Sequence, residues 1–177
     1  MVIDSARDHL TALITDLHGR IRSLETEIAA VLADSAWTES ATLLLGIPGI
    51  GLLTTAWLLV SPVNFTLCPT PEAAVNYAGL APQRYASGKS VWRRPQIGHS
   101  GHSRLRTALY LATLTAARFN PPIAAFYQRL CEAGKPKKVA RCAAARKLLH
   151  QAWAVVTKQR PFDPTWDQVS NSIPATP

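Results

Sequence analysis

A chain of 177 residues, 47% of them apolar, is long enough for one ordinary domain with a small appendage and is not the composition of a disordered chain. No apolar run reaches the ~18 to 20 residues of a membrane span, and no basic region precedes an apolar one at the N-terminus. The net charge of +8 is segregated: −4 over residues 1–40, +14 over 41–160, where sixteen Lys and Arg face only Glu72 and Glu132, and −2 beyond. A block of that sign favours a polyanionic partner, nucleic acid before a membrane surface, because no helix pairs a basic face with exposed Trp or Phe.

In chain order, Ile3, Leu10, Ile14, Leu17, Ile21, Leu24, Ile28 and Val31 recur mostly at alternating steps of four and three, a heptad seam on one long helix over residues 1–40. The narrow stripe needs a partner, either a second copy of the chain or the chain's own body, and Gly19 weakens the helix locally by up to about 1 kcal/mol. Residues 41–61 read as two short helices around Gly46-Ile47-Pro48-Gly49-Ile50-Gly51, and Pro62 closes the second. Thr70 followed by Pro71 caps a helix through Tyr77. From Leu80 to Ser100 no helical period survives, and the stretch allows at most a short hairpin. Leu105, Leu109, Ala112 and Ala116 mark a helix that halts before Asn120-Pro121-Pro122, and Ile123, Phe126, Tyr127 and Leu130 mark a shorter one that stops at Gly134. The last runs from about Lys137 to Lys158 with Val139, Ala143, Leu149, Ala152 and Val156 inward, and residues 161–177 read as a loose tail. The fold class is all-α: a coiled-coil helix at 1–40, a compact helical domain at 41–160 with a mostly irregular basic loop, and the tail.

Four features bear on chemistry. Gly49-Ile50-Gly51 behind Pro48 has the pattern of a helix–hairpin–helix, in which glycines let the backbone approach a phosphate and the next helix's free N–H groups donate to it; two glycines in a helical corner can equally be structural. Between Pro82 and Arg94, Ser87 and Ser90 lie in a loop with Arg84, Lys89, Arg93 and Arg94, where a serine can attack phosphorus beside cations that stabilise the charge, or be inert. His99, Arg104 and Arg106 flank the start of the next helix, an anion-binding arrangement, while His99 and His102 lack the Cys, Asp or Glu neighbours of a metal site. Lys137, Lys138 and Arg141 can share one cationic helix face, either gripping phosphate or simply solvated. The three cysteines lack C-x-x-C spacing and read as scattered reduced thiols of a cytoplasmic protein. With two acids in 41–160, this body cannot by itself hold the three or four carboxylates of a two-metal strand-transfer site.

Gly46-Ile47-Pro48-Gly49-Ile50-Gly51, Tyr77-Ala78-Gly79-Leu80-Ala81-Pro82, Ser87-Gly88, Ile97, Gly101, Leu105-Arg106, Asn120-Pro121, Gly134-Lys135-Pro136-Lys137-Lys138-Val139-Ala140 and Arg146-Lys147-Leu148-Leu149 occur in this order. Over about residues 41–164 the set resembles the C-terminal domain of the insertion-sequence one-ten family of transposases, related to the pilin-gene invertases, and the N-terminal helix is similar to the coiled coil preceding that domain. The resemblance implies a full-length protein with an N-terminal RuvC-like domain whose Asp-Glu-Asp-Asp set holds Mg²⁺, and no cofactor within the present segment. It implies DNA as partner and, in some members, a structured guide RNA; the heptad seam adds the expectation of a homo-oligomer through the coiled coil, and the absence of a long apolar run that of no membrane and a place in the cytoplasm with the nucleoid. The residue matching the family's nucleophilic Ser-Gly motif is Ser87; many members carry two serines there, and this chain has Ala86 in the first place. His99 stands where Lys is frequent and His102 where Asn is frequent. Because Met1 is followed almost at once by the coiled coil, the chain reads as a truncated product or a separately expressed domain that binds DNA without recombining it unaided. A different reading is a non-catalytic helix–hairpin–helix protein that regulates a complete transposase, and a third is an RNA-binding accessory module.

Overall fold

The computed structural model describes residues 2–83, 86–87, 91–92, 96–98 and 100–165, with backbone alone for 2–4, 83, 86–87 and 91–92. Helix α1 runs Val2–Ala33, α2 Thr38–Leu45, α3 Leu52–Val60, α4 Pro71–Ala78, α5 Ser103–Phe119, α6 Pro121–Glu132 and α7 Lys137–Lys158. The all-α expectation holds. Strands among the described residues are four two-residue pieces, β1 Pro82–Gln83, β2 Ala86–Ser87, β3 Val91–Trp92 and β4 Gln96–Ile97. They form two antiparallel pairings, β1 with β4 and β2 with β3, the arms of one hairpin.

Local chemistry sets the boundaries. Thr70 Oγ1 accepts from the Ala73 N–H at 3.1 Å ahead of Pro71, and Gly79 ends α4 at φ 70°. Asn120 ends α5 and caps α6, accepting from the Ile123 N–H at 3.3 Å. At the start of α5, His102 Nδ1 accepts from the Leu105 N–H at 3.1 Å, so a histidine performs the capping task usually given to Asn or Ser. The α3–α4 connection holds a feature that the sequence did not suggest. Val63, Asn64 and Phe65 have φ of 50°, 52° and 64°, a left-handed turn without glycine. Burial of Phe65 at 3% exposure anchors it, and each left-handed residue there costs about 1 to 2 kcal/mol.

Helix α7 is the centre of the body: α5 and α6 pack on it and on each other, α4 crosses it, α2 meets it, and α3 lies along α5. The expected inward set on α7 is corrected accordingly. Val139 is exposed and Ala143 half-buried, while Ala140, Ala144, Ala145, Leu148, Leu149, Ala152, Val155 and Val156 are buried. A helix packed by four neighbours buries a broad face, and its alanines let those neighbours come close. On α5 the expected Leu105, Leu109, Ala112 and Ala116 are all buried. Helix α1 meets the body through α2 and α3 at its C-terminal end, where Leu32 is buried and Ile28 half-buried. Farther out, Leu10, Ile14, Leu17, Ile21 and Leu24 are exposed by 48 to 61%. Past α7, Phe162 packs against the core; residues 166–177, the rest of the expected loose tail, lie outside the described residues.

Candidate nucleic-acid interface

The glycine turn is fixed from behind. Gly49 has φ 102°, and a Cβ there would stand 2.5 Å from the Ala116 Cβ, so this glycine is required by close packing on α5. Ile50 is buried and its N–H donates to the Ile47 carbonyl at 3.0 Å, which leaves neither its side chain nor its amide for a ligand. Gly51 is exposed, with open space where a Cβ would lie, and caps α3. The amides of the first turn of α3 have no acceptor within the helix, so the donor edge of the turn is Gly51 and the residues after it. Asn120, with no exposed surface, locks the turn to the body. Its Nδ2 donates to the Pro48 carbonyl at 3.3 Å and to Gln151 Oε1 on α7 at 3.0 Å.

A second cluster lies at the other end of α5, about 20 Å from Ala116 by helical rise. His102 stacks on Tyr77 with centroids 5.9 Å apart and meets Trp57 at 5.7 Å. Arg104 is exposed above Trp57, its guanidinium 6.0 Å from the ring centre. Arg106 is half-buried and acts as a clamp. Its Nη1 donates to the Ser100 carbonyl at 2.8 Å and lies 3.4 and 3.5 Å from the carbonyls of Ala78 and Gly79. A Cβ on Gly79 would strike Arg106 and Ser100, so glycine there makes room for the clamp. Arg106 thus ties the end of α4 to the entry of α5, and of the two arginines Arg104 is the one presented outward.

The third group is split as well. Lys137 and Lys138 are exposed on the first turn of α7, whereas Arg141 is half-buried and bonded to the hydroxyls of Tyr110 on α5 and Tyr127 on α6. Those bonds hold its guanidinium yet more firmly charged, Tyr110 contributing most. The Tyr127 hydroxyl is pushed up by its bond to Cys131 and by burial. Beside it, Arg118 and Arg141 share a cavity of about 380 Å³ with Phe119 and Tyr127. Sequence reasoning did not single out Arg118 or Trp57, and it saw Asn120 only as a helix boundary, since each acquires its role from partners distant in the chain.

Ser87 lies in β2, its backbone paired with Val91 of β3 near the tip of the hairpin. The hairpin springs from the α4 end, where β1 begins three residues after Gly79, and returns through β4 to Ser100, so its base adjoins the Arg106 clamp. Arg84, Lys89, Arg93, Arg94 and His99 lie outside the described residues. Among the described residues, no group of three or more His, Cys, Asp or Glu side chains is placed to hold a metal ion, and no single helix is long and apolar enough to cross a membrane. Glu72 stands in the first turn of α4 and Glu132 at the end of α6.

A helical body built around a cationic stretch, with a docked glycine turn and a hairpin carrying serine, is the class of protein these features define. Residues 41–128 match the model of the Transposase IS116/IS110/IS902 family, and this part of the chain belongs to that family. The chain is 39% identical over 124 residues to a pilin gene-inverting protein of Moraxella bovis, covering 70% of this chain and 38% of the relative. The Moraxella lacunata protein of that name matches with the same identity and coverage. The Insertion element IS110 uncharacterized 43.6 kDa protein of Streptomyces coelicolor is 29% identical over 154 residues, 87% of this chain and 37% of its own length. The chain therefore spans under two fifths of the length of these relatives.

Proposed function

We propose that residues 41–160 form the DNA-binding portion of a transposase or recombinase and supply its serine nucleophile. The observation that carries the reading is a net charge of +14 on the segment whose larger part belongs to a transposase family. In this reading the duplex lies across α5. Gly51 and the following amides of α3 donate to phosphate near one end. Arg104 meets phosphate at the other end. Lys137 and Lys138 add phosphate contacts from α7. These contacts are with the backbone of DNA and position it without reading its bases. The same cationic surface suits a structured guide RNA.

Ser87 is the proposed nucleophile. Its hydroxyl oxygen forms a bond to phosphorus, the bond from phosphorus to a sugar oxygen breaks, and that oxygen leaves as the strand's hydroxyl. Attack by another strand's hydroxyl on the phosphoserine ester reverses the step and joins the new strand. The loop cations stabilise the charge on phosphorus. Metal-dependent steps fall to carboxylates outside residues 41–160. The unpartnered seam of α1 supports pairing between copies, and the protein works in the cytoplasm at the nucleoid.

The test is a covalent adduct. With supercoiled DNA bearing the element ends, Mg²⁺ and the remainder of the transposase, a protein–DNA ester should form. Ser87→Ala should abolish it while leaving duplex affinity intact. An undiminished adduct in Ser87→Ala would overturn the nucleophile. Ala86, in the place where many family members carry a further serine, favours a second reading: a binding-only regulator that pairs with a complete transposase through α1. Robust recombination supported by this chain would exclude it.

A further inference from the structure

Along α7, bounded by α6, the start of α4 and the segment after α7, runs an open groove of about 750 Å³. That is within the size range of sites that take a nucleotide-sized ligand. Its charge is one-sided. Arg146, Lys147, His150 and Lys158 line it against a single carboxylate, Asp163. Arg146 and Lys147 lie one turn before His150, Lys158 follows His150 by about two turns, and from Lys147 to Lys158 they span about 16 Å by helical rise. An acidic occupant fits this wall.

Its other lining groups are aromatic. Phe126 of α6 is half-buried and has cations on its ring already, Lys147 Nζ at 5.2 Å and the Arg129 guanidinium at 5.4 Å from the centroid. Trp153 donates its indole N–H to the Cys68 carbonyl at 2.8 Å, which fixes the ring as a rigid part of the lining. Phe162, from the segment after α7, lines the groove as well. Planar aromatic surfaces interleaved with cations are the combination that holds unpaired bases and their phosphates, and duplex DNA cannot offer its bases to them.

We propose that this groove holds a single-stranded nucleic-acid segment, its base stacked on Phe126 and its phosphates along Arg146, Lys147 and Lys158. The inference rests on the nucleic-acid reading above and adds to it a second site for unpaired strand. The two sites are joined. Gln151, which lines the groove, is bonded to Asn120, and Asn120 to the Pro48 carbonyl of the glycine turn. The glycine turn and the groove are thus tied to each other by one layer of hydrogen-bonded side chains.

The test measures affinity of the full chain for a short unstructured single strand and, separately, for a duplex. The variants are Lys158→Glu, on an exposed side chain, and Phe126→Leu, which keeps apolar volume but removes the stacking face. The expected result is single-strand binding weakened by about tenfold in each variant, with duplex binding changed by less than about threefold. A photoreactive base in the strand should crosslink to α6 or to the Trp153 segment of α7. Unchanged single-strand affinity in both variants, with duplex binding intact, would overturn the groove and leave the DNA reading standing. Capture of an acidic peptide at the groove without any single-strand binding would also overturn it. Failure of the wild-type chain to bind either nucleic acid would overturn both readings together.

Discussion

Asn120 stands with no exposed surface where the glycine turn, the start of α6 and the middle of α7 meet. Asn120→Ala removes a helix cap and leaves the Pro48 carbonyl and Gln151 without their buried donor. Loss of stability of about 2 to 4 kcal/mol is expected in urea unfolding. A loss under about 1 kcal/mol would mean that the turn is not held from behind. Val63 sits in the left-handed turn with 43% exposure, so it gains little from burial and bears the cost of a β-branched side chain at φ 50°. Val63→Gly should raise stability by up to about 1 kcal/mol, the relief of strain being partly offset by the freer unfolded chain. At this scale the sequence was legible in kind and not in partner. Gly49 was recognisable as a turn glycine, yet its reason is Ala116, sixty-seven residues on. Arg106 was recognisable as a cation, yet only the fold brings the carbonyls of Ala78, Gly79 and Ser100 to its guanidinium.

Among the elements, periodicity located the helices well because capping residues punctuate them, from Thr70-Pro71 to Asn120-Pro121. It misjudged the inward face of α7, where Val139 looked like core and is 53% exposed. Alanines at 140, 144, 145 and 152 carry little hydrophobic signal but form the contact surface of a central helix. The heptad seam of α1 was equally plain, and the structure leaves it uncovered from Leu10 to Leu24. A 32-residue helix with such a stripe gains most of its stability from a partner. Light scattering should therefore find a dimer or larger assembly, and Leu17→Glu with Ile21→Glu should convert it to monomer and lower the helical signal. A wild-type chain that is monomeric at high concentration would contradict the pairing.

At the scale of the whole molecule, the segregation of charge was the clearest sign in the sequence, and the fold divides it into distinct tasks. Arg106 and Arg141 are tied to backbone carbonyls and tyrosines, while Arg104, Lys137 and Lys138 are presented outward. Among the described residues, no three Asp, Glu, His or Cys side chains gather at one place. The groove along α7 was not legible at all, because its aromatic groups come from positions 126, 153 and 162 and converge only when α6, α7 and the following segment pack. The most direct test of the central claim is the affinity of the chain for a duplex as a function of salt. Contact with about six phosphates predicts a slope of roughly −5 in log affinity against log salt, so that a fourfold rise in salt weakens binding about a thousandfold. A slope near zero, or no duplex binding at the lowest salt, would contradict the account.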